Sequence, residues 1–429
     1  ATAAVFSKMV WYEEYMDGHY YLRDWHHTWV DGGSAVMYLD FLYRIIAIYN
    51  EDINNSEVQR YLDEYENWFR NILLPFMNLE GAVDPEGGYN SPQYIAFQVE
   101  VWDKALGEDN WTGNKFLEEK CFANIMFKKP FTDYCPFVAV DCFLSRLAFP
   151  NTYLRGVAPL YEKNNGKGYG QYIANYVIEN FHNEWDFEIY TPWRILWYDP
   201  SHPAIALNSL PKAKFFDGNP SGLSYGIAVF RTGFEEDGTL IIFKCGDSYS
   251  PYKSFNGLLN HFAIYHRGDL AKIDGSDGHY YGGGHLKAYT RKRKARGIIT
   301  VSDPDNPVGE GLSPWSSHYN DPYYIFTYDQ SICNAPGYEG FSGGAPYFGG
   351  SAIGDHFEGT ESDNGDIIHF ESKEDYSYVV GDASDAFYDS VCTLYQRELA
   401  FLREKYLIVF DRVTSAQPHF VKRWYLHTV

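Results

Sequence analysis

Two residues in this chain have settings that suit proton transfer. Tyr94 closes the stretch Asn90-Ser91-Pro92-Gln93-Tyr94, directly after the turn-rich run Asp84-Pro85-Glu86-Gly87-Gly88. His27 sits inside Trp25-His26-His27-Thr28-Trp29. A phenol or an imidazole held against a substrate can act as a general acid or base. Each also has a plainer role open to it: Tyr94 as packing at a helix start, His27 as a capping residue. Trp25, Trp29, Tyr89 and Tyr94 lie beside loops rather than inside apolar stripes. Rings so placed, with an apolar face and a polar edge, suit stacking on sugars. A third feature is cationic. Arg291-Lys292-Arg293-Lys294-Ala295-Arg296 packs basic residues together in a chain whose net charge is −22. Arg291, Lys292 and Arg293 could hold an anionic ligand such as an acidic glycan, or could line a solvated strand or loop.

Other motifs carry less. Gly340-Phe341-Ser342-Gly343-Gly344 fits G-x-S-x-G, but its Gly- and Pro-rich flanks lack the strand and helix that a nucleophile elbow needs. Gly166-Lys167-Gly168-Tyr169-Gly170 has no strand before it and reads as an interhelical turn rather than a phosphate loop. Asn54-Asn55-Ser56 and Asn110-Trp111-Thr112 are glycosylation sequons of a kind common by chance. The cysteines, at Cys121, Cys135, Cys142, Cys245, Cys333 and Cys392, form neither a C-x-x-C nor a Cys/His cluster, which argues against a zinc ribbon or a thioredoxin-type site. Cys121, Cys135 and Cys142 could be core thiols or include one disulfide.

These groups must be positioned by ordinary elements. With 45% apolar and 18% aromatic residues, the 429-residue chain can bury two ordinary cores and is neither disordered nor collagenous. The acidic balance argues against a general nucleic-acid binder. No apolar run reaches the roughly 18 residues of a membrane span. The first 190 or so residues read as helices. Val58, Tyr61, Leu62, Tyr65, Trp68, Phe69, Ile72 and Leu73 recur at three-and-four spacing, with Ser56 as N-cap and Pro75 helping to end the helix. Similar periodicity covers 34–49, 92–106, 137–149 and 169–182. Prolines then cluster near 195–220, and beyond them the period becomes two, as in Ile227–Thr232, Thr239–Lys244 and Tyr406–Phe410. The expected order is an α domain followed by a β-sandwich. The first residues show no basic or apolar leader pattern. The last, Trp424 to Val429, alternate like a strand in mid-course, so the chain reads as a fragment with its C-terminus truncated.

Several blocks resemble one family. Asn260-His261-Phe262, Gly268-Asp269-Leu270-Ala271, Ile273-Asp274-Gly275, Tyr280-Tyr281-Gly282, His285, Tyr289 and Ile299-Thr300-Val301-Ser302-Asp303-Pro304 follow in order. Tyr378-Val379-Val380-Gly381-Asp382-Ala383-Ser384, Arg397 through Arg403, Tyr406 through Val413 and Lys422 through Thr428 continue the series. Together they look like the β-domain of heparinase II/III-like polysaccharide lyases. Leu196-Trp197-Tyr198-Asp199-Pro200 is similar to that family's connector. The resemblance implies an α/α toroid, possibly incomplete, over 1–195 and an antiparallel β-sandwich over 196–429.

It also implies β-elimination on uronic-acid glycans of heparan-, chondroitin/hyaluronan- or alginate-like type, in the periplasm or outside the cell. Tyr94 and His27 match the family's catalytic positions. His26, Trp25, Trp29, Tyr89, His261, His285, Tyr289, Arg291 and Arg293 are the expected substrate contacts. The partner is an acidic polysaccharide, with neither nucleic acid nor membrane span; a homo-oligomer stays open. The departures are as specific. The family's H-x-H-x-D-x-N aligns with Ser254 through Asn260, so its catalytic His reads Ser254. The structural zinc positions read Asn256, Asp274 and Arg296, so no cofactor is expected and an Arg296–Asp274 ion pair takes the metal's place. The alternative to a lyase in which Tyr94 and His27 suffice, or in which His261, His266 or His285 substitutes, is a glycan-binding protein of the same fold with little or no catalysis.

Overall fold

The computed structural model describes residues 32–49, 56–77, 91–132, 134–135, 147–150, 154–180, 195–216, 226–246, 259–271, 297–302, 304, 310–312, 325–327, 365–387, 391–403 and 405–428. These fall into two compact units. Described residues up to Ile125, and those within Pro150–Ile205, form the first; those within Met126–Phe149 and from Ala206 onward form the second.

The first unit is built from helices: α1 (Gly32–Tyr49), α2 (Ser56–Trp68), α3 (Leu74–Met77), α4 (Ser91–Leu106), α5 (Phe116–Phe127), α6 (Ala158–Asn165) and α7 (Tyr169–Asn180). Met126 and Phe127, at the end of α5, belong to the second unit. The apolar stripe of α2 is buried as its spacing requires, with Val58, Tyr61, Leu62, Tyr65 and Trp68 inside. Its outer face carries the pair Arg60–Glu64 at 2.8 Å. Against this stripe, α4 contributes Trp102, whose ring stacks on Tyr65 at 5.3 Å and on Phe69 at 4.8 Å between centroids. The Tyr65 hydroxyl donates to Gln98 Oε1 at 2.8 Å, so the buried phenol keeps a partner. α1 packs on α2 and α4, and α6 on α7. A closed toroid is not shown by these helices.

Two local expectations need correction. Pro75 does not end the helix. Phe69–Leu73 forms a π-helical turn, in which the Leu74 N–H bonds to the Phe69 carbonyl, and α3 carries Pro75 onward. The wider turn takes the ladder out of α register just where the proline ring would meet a carbonyl four residues back. The periodicity over 137–149 does not end as helix either. Leu147–Ala148 (β2) pairs antiparallel with Tyr134–Cys135 (β1), and tertiary pairing there overrides helical spacing. The segment 166–170 is the interhelical turn its sequence suggests. Gly168 takes φ +86°, and the Glu162 carboxylate accepts the N–H groups of Gly168 (3.1 Å) and Gly170 (2.9 Å), which α7 leaves open at its start.

The second unit holds two main antiparallel sheets. One orders β3 (Ala213–Phe216), β4 (Ile227–Arg231), β5 (Thr239–Lys244), β6 (His261–His266) and β7 (Asp269–Ala271). The other orders β11 (Asp366–Ser372), β12 (Tyr376–Asp382), β13 (Cys392–Leu402) and β14 (Tyr406–Ser415). Smaller pairs join β8 (Ile299–Ser302) to β15 (Val421–Trp424), and β9 (Glu310–Leu312) to β10 (Ile325–Thr327). Phe230, Ile241, Phe243 and Phe262 from the first sheet share one core with Val379, Tyr395, Leu399 and Phe401 from the second. This is face-to-face packing of two sheets, a sandwich. β4 is buried along its whole length, whereas β14 alternates and leaves Tyr406, Ile408 and Phe410 exposed. Cys121 and Cys245 are buried free thiols, and Cys392 is buried with its Sγ bonded to the Leu394 carbonyl at 3.2 Å.

One contact inside this core is tight enough to fix a residue. A Cβ on Gly381 would lie 2.2 Å from Asn260 Oδ1, 2.6 Å from Phe243 Cζ and 2.7 Å from Cys245 Cβ. Gly381→Ala is therefore expected to lower unfolding stability by about 1–3 kcal/mol or more, the usual cost of overpacking. Urea unfolding followed by circular dichroism measures it, and a loss under about 0.5 kcal/mol, the range of neutral surface changes, would contradict this packing.

Candidate functional site

Of the histidines and tyrosines singled out for chemistry, the structure describes Tyr94, His261 and His266. Tyr94 falls in the first turn of α4 and is half-buried. The turns behind it are locked, since Ile95, Ala96, Gln98, Val99 and Trp102 are fully buried. Among the described residues, none bonds to the Tyr94 hydroxyl. The helix therefore presents a phenol on a rigid base, its polar end without a partner among the described residues. Three residues on, Phe97 packs against Trp197, with ring centroids 6.0 Å apart and planes at 42°. Trp197 is followed by Tyr198, whose hydroxyl donates to Asn175 Oδ1 at 2.9 Å. Trp197 was not among the expected site residues; the connector pattern in which it stands is the signal that could have drawn attention to it.

His261 opens β6 in the second unit and is 2% exposed. Its Nδ1 accepts the Gly297 N–H at 3.1 Å, so that nitrogen carries no proton. The residue before it, Asn260, adopts φ +58°, a left-handed conformation that asparagine tolerates. Asn260 Nδ2 donates to the Tyr395 carbonyl at 3.2 Å. The bend turns the Asn260 carbonyl out of the sheet towards Arg397, whose Nη1 donates to it at 2.7 Å and to the Gly297 carbonyl as well. The same guanidinium grips Asp411 with two bonds, at 2.7 and 3.0 Å. Burial works against charge on Arg397, but nearby Tyr395 and the Asp411 bonds outweigh it and hold its pKa above the ordinary value. His266, the other imidazole of β6, is half-buried with Nδ1 3.1 Å from Thr239 Oγ1.

His27, His26, Trp25, Trp29, Tyr89, His285, Tyr289, Arg291, Lys292 and Arg293 lie outside the described residues, as do Ser254, Asn256, Asp274 and Arg296. Ser342 of the G-x-S-x-G match lies outside them too. Among the described residues, no group of three or more His, Cys, Asp or Glu is placed to hold a metal ion. No described helix is long and apolar enough to cross a membrane.

No protein-family model matches the chain, and no curated protein matches it. Solved structures do. A heparinase III gene product is 15% identical over 87% of this chain and 44% of its own, with a TM-score of 0.46. A second heparinase III is 12% identical over 87% of this chain and 46% of its own, with a TM-score of 0.45. Heparan sulfate lyase HepC from Pedobacter heparinus is 13% identical over 94% of this chain and 49% of its own, with a TM-score of 0.42. The chain spans just under half the length of these structures.

The Arg397 cluster has a measurable consequence. Asp411→Ala leaves a cation buried without its anion, and is expected to cost about 3–5 kcal/mol of stability. Arg397→Lys keeps the charge but not the fork, and should lose a large share of the same energy. Denaturant midpoints of the two variants test this; losses under about 1 kcal/mol, the value of a surface pair, would contradict it.

Proposed function

We propose that this chain is a polysaccharide lyase that cleaves uronic-acid glycans by β-elimination. The observation that carries the reading is Tyr94: a half-buried phenol at the first turn of α4, following the Gly-rich sequence Asp84-Pro85-Glu86-Gly87-Gly88, with no described partner on its hydroxyl. The ordered blocks over 260–304 and 376–428 support it.

The reaction has three requirements. The uronate carboxylate must be neutralised so that the C5 proton becomes acidic. A base must remove that proton. An acid must then protonate O4 as the C4–O4 bond breaks and the C4–C5 double bond forms. In this reading Tyr94 exchanges a proton at the reacting sugar, and His27 is its partner in acid–base work. Arg291, Lys292 and Arg293 supply positive charge for an acidic polymer in an otherwise acidic chain. Trp25, Trp29, Tyr89, His26, His285 and Tyr289 are the further contacts. The toroid belongs to this reading, as does a periplasmic or extracellular location, since the substrate is a polymer met there.

A second reading rests on Ser254, Asn256 and Arg296, which stand where the resembled family writes histidines. There the chain binds the same glycans and cleaves them weakly or not at all. Losing one acid or base costs about 10²–10⁴-fold, which weakens an enzyme without abolishing it. As a metal site, Asn256, Asp274 and Arg296 do not fit zinc. An arginine is always cationic and cannot ligate, and the set offers one carboxylate.

Three measurements follow. Tyr94→Phe keeps the ring and removes the hydroxyl, and should lower kcat by about 10²–10⁴-fold in an ultraviolet assay of the unsaturated product; near wild-type kcat would remove Tyr94 from the chemistry. Neutralising Arg291, Lys292 and Arg293 should weaken glycan binding and flatten its salt dependence, because exposed charges are screened over about 8–10 Å at physiological ionic strength. Unchanged binding would return the strip to solvent. Elemental analysis of purified protein should find zinc well below one ion per chain, and stoichiometric zinc would sink the substituted-site idea.

A further inference from the structure

Tyr94 does not stand alone on its helix face. Phe97 lies three residues on, so the two side chains are neighbours along α4. The ring covering Phe97 is Trp197, half-buried, at 6.0 Å. Trp197 follows Ile195 and Leu196, which are 76% and 66% exposed, so this short segment runs on the surface with its indole turned to the helix. What holds it there is polar. The Tyr198 hydroxyl donates to Asn175 Oδ1 at 2.9 Å, and that oxygen also accepts Gln171 Nε2 at 3.1 Å. Gln171 and Asn175 are one turn apart on α7, so the anchor is a helix rather than a loop. Gln171 is 1% exposed, and its Oε1 has no hydrogen-bond partner among the described residues.

An indole held half-open by an anchored neighbour, packed on the residue one turn along from a phenol with no described hydroxyl partner, presents what a pyranose ring needs. The C–H face of the sugar can lie on the aromatic ring while its hydroxyl edge meets polar groups. We propose that Trp197, backed by Phe97, is a stacking platform for a sugar of the glycan chain adjacent to the one at Tyr94. Tyr198, Asn175 and Gln171 are positioning residues that set the angle of the platform. This inference rests on the reading of Tyr94 as a glycan-facing residue.

The test uses the full chain and tetrasaccharides of heparan sulfate, chondroitin sulfate, hyaluronan and alginate, with affinities from calorimetry. Trp197→Ala should weaken binding of the preferred glycan about tenfold, the size expected for one aromatic face. Trp197→Phe, which keeps a ring, should stay within about threefold of wild type. KM should move with Kd in both. Circular dichroism checks the fold, and if the alanine variant unfolds, Trp197→Leu keeps packing on Phe97 without the π face. Wild-type affinity in the alanine or leucine variant, or equal losses in alanine and phenylalanine variants, overturns the platform while leaving the Tyr94 kinetics to judge the lyase. A wild-type protein that binds none of the four glycans overturns both.

Discussion

The β unit depends on one buried guanidinium. Arg397 lies on the core-facing register of β13, between Tyr395 and Leu399, and is fully buried. Two carbonyls that leave the sheet ladders, those of Asn260 and Gly297, would otherwise be buried acceptors, each costing about 1–3 kcal/mol if left open. The guanidinium satisfies both and spends its remaining edge on Asp411 across the β13–β14 pair. A lysine could not reach all of these groups from one planar head. The five-stranded sheet, the approach to β8 and the four-stranded sheet are thus tied at one point. The contacts around it follow from that tie. Asn260 bends through φ +58°, Gly381 stays bare to admit its side chain, and His261 accepts the neighbouring Gly297 N–H. Arg231 works in a similar way elsewhere in the unit, donating to the carbonyls of Met126 and Lys128 at 2.7 and 2.8 Å.

The helical unit holds its candidate group differently. Aromatic stacking of Tyr65, Phe69 and Trp102 fixes α4 against α2, and the phenol of Tyr65 is closed off by Gln98. Tyr94 shares the helix with that core, and no described residue closes off its hydroxyl. A phenol on a rigid helix, with no described residue bonded to its hydroxyl, is suited to proton transfer, because positioning costs nothing at the moment of reaction. His261, by contrast, has its Nδ1 committed to the backbone, which makes the imidazole part of what holds the segment before β8.

Much of this order was legible in the residues. The period of 3.6 marked α2, α4 and α7, and the period of two marked β14, because apolar spacing dictates which face is buried; β4 and β5, also expected to alternate, are instead buried almost throughout. Local chemistry misled where tertiary contacts prevailed. Pro75 reads as a stop until a π-helical turn absorbs it, and Leu147–Ala148 takes its state from a strand partner rather than from its own spacing. The Arg397 tie was only half legible. An arginine in the apolar alternation Tyr395, Arg397, Leu399, Phe401 signals a buried charge, yet its acceptors lie 14 to 137 residues away in sequence, where no periodicity reaches. Tyr94 was legible as a position after a turn-rich loop. That no described residue bonds to its hydroxyl was not, since that depends on distant parts of the fold.

The central claim is a reaction type, and the bond it breaks can be read from the products. A uronic-acid polysaccharide incubated with the purified chain and analysed by mass spectrometry should yield fragments whose non-reducing ends carry a C4–C5 double bond, each lighter by one water than the hydrolytic fragment of the same length. Fragments with hydrated, saturated non-reducing ends would mean hydrolysis and would contradict the account. So would intact polymer recovered from every uronic-acid glycan tried.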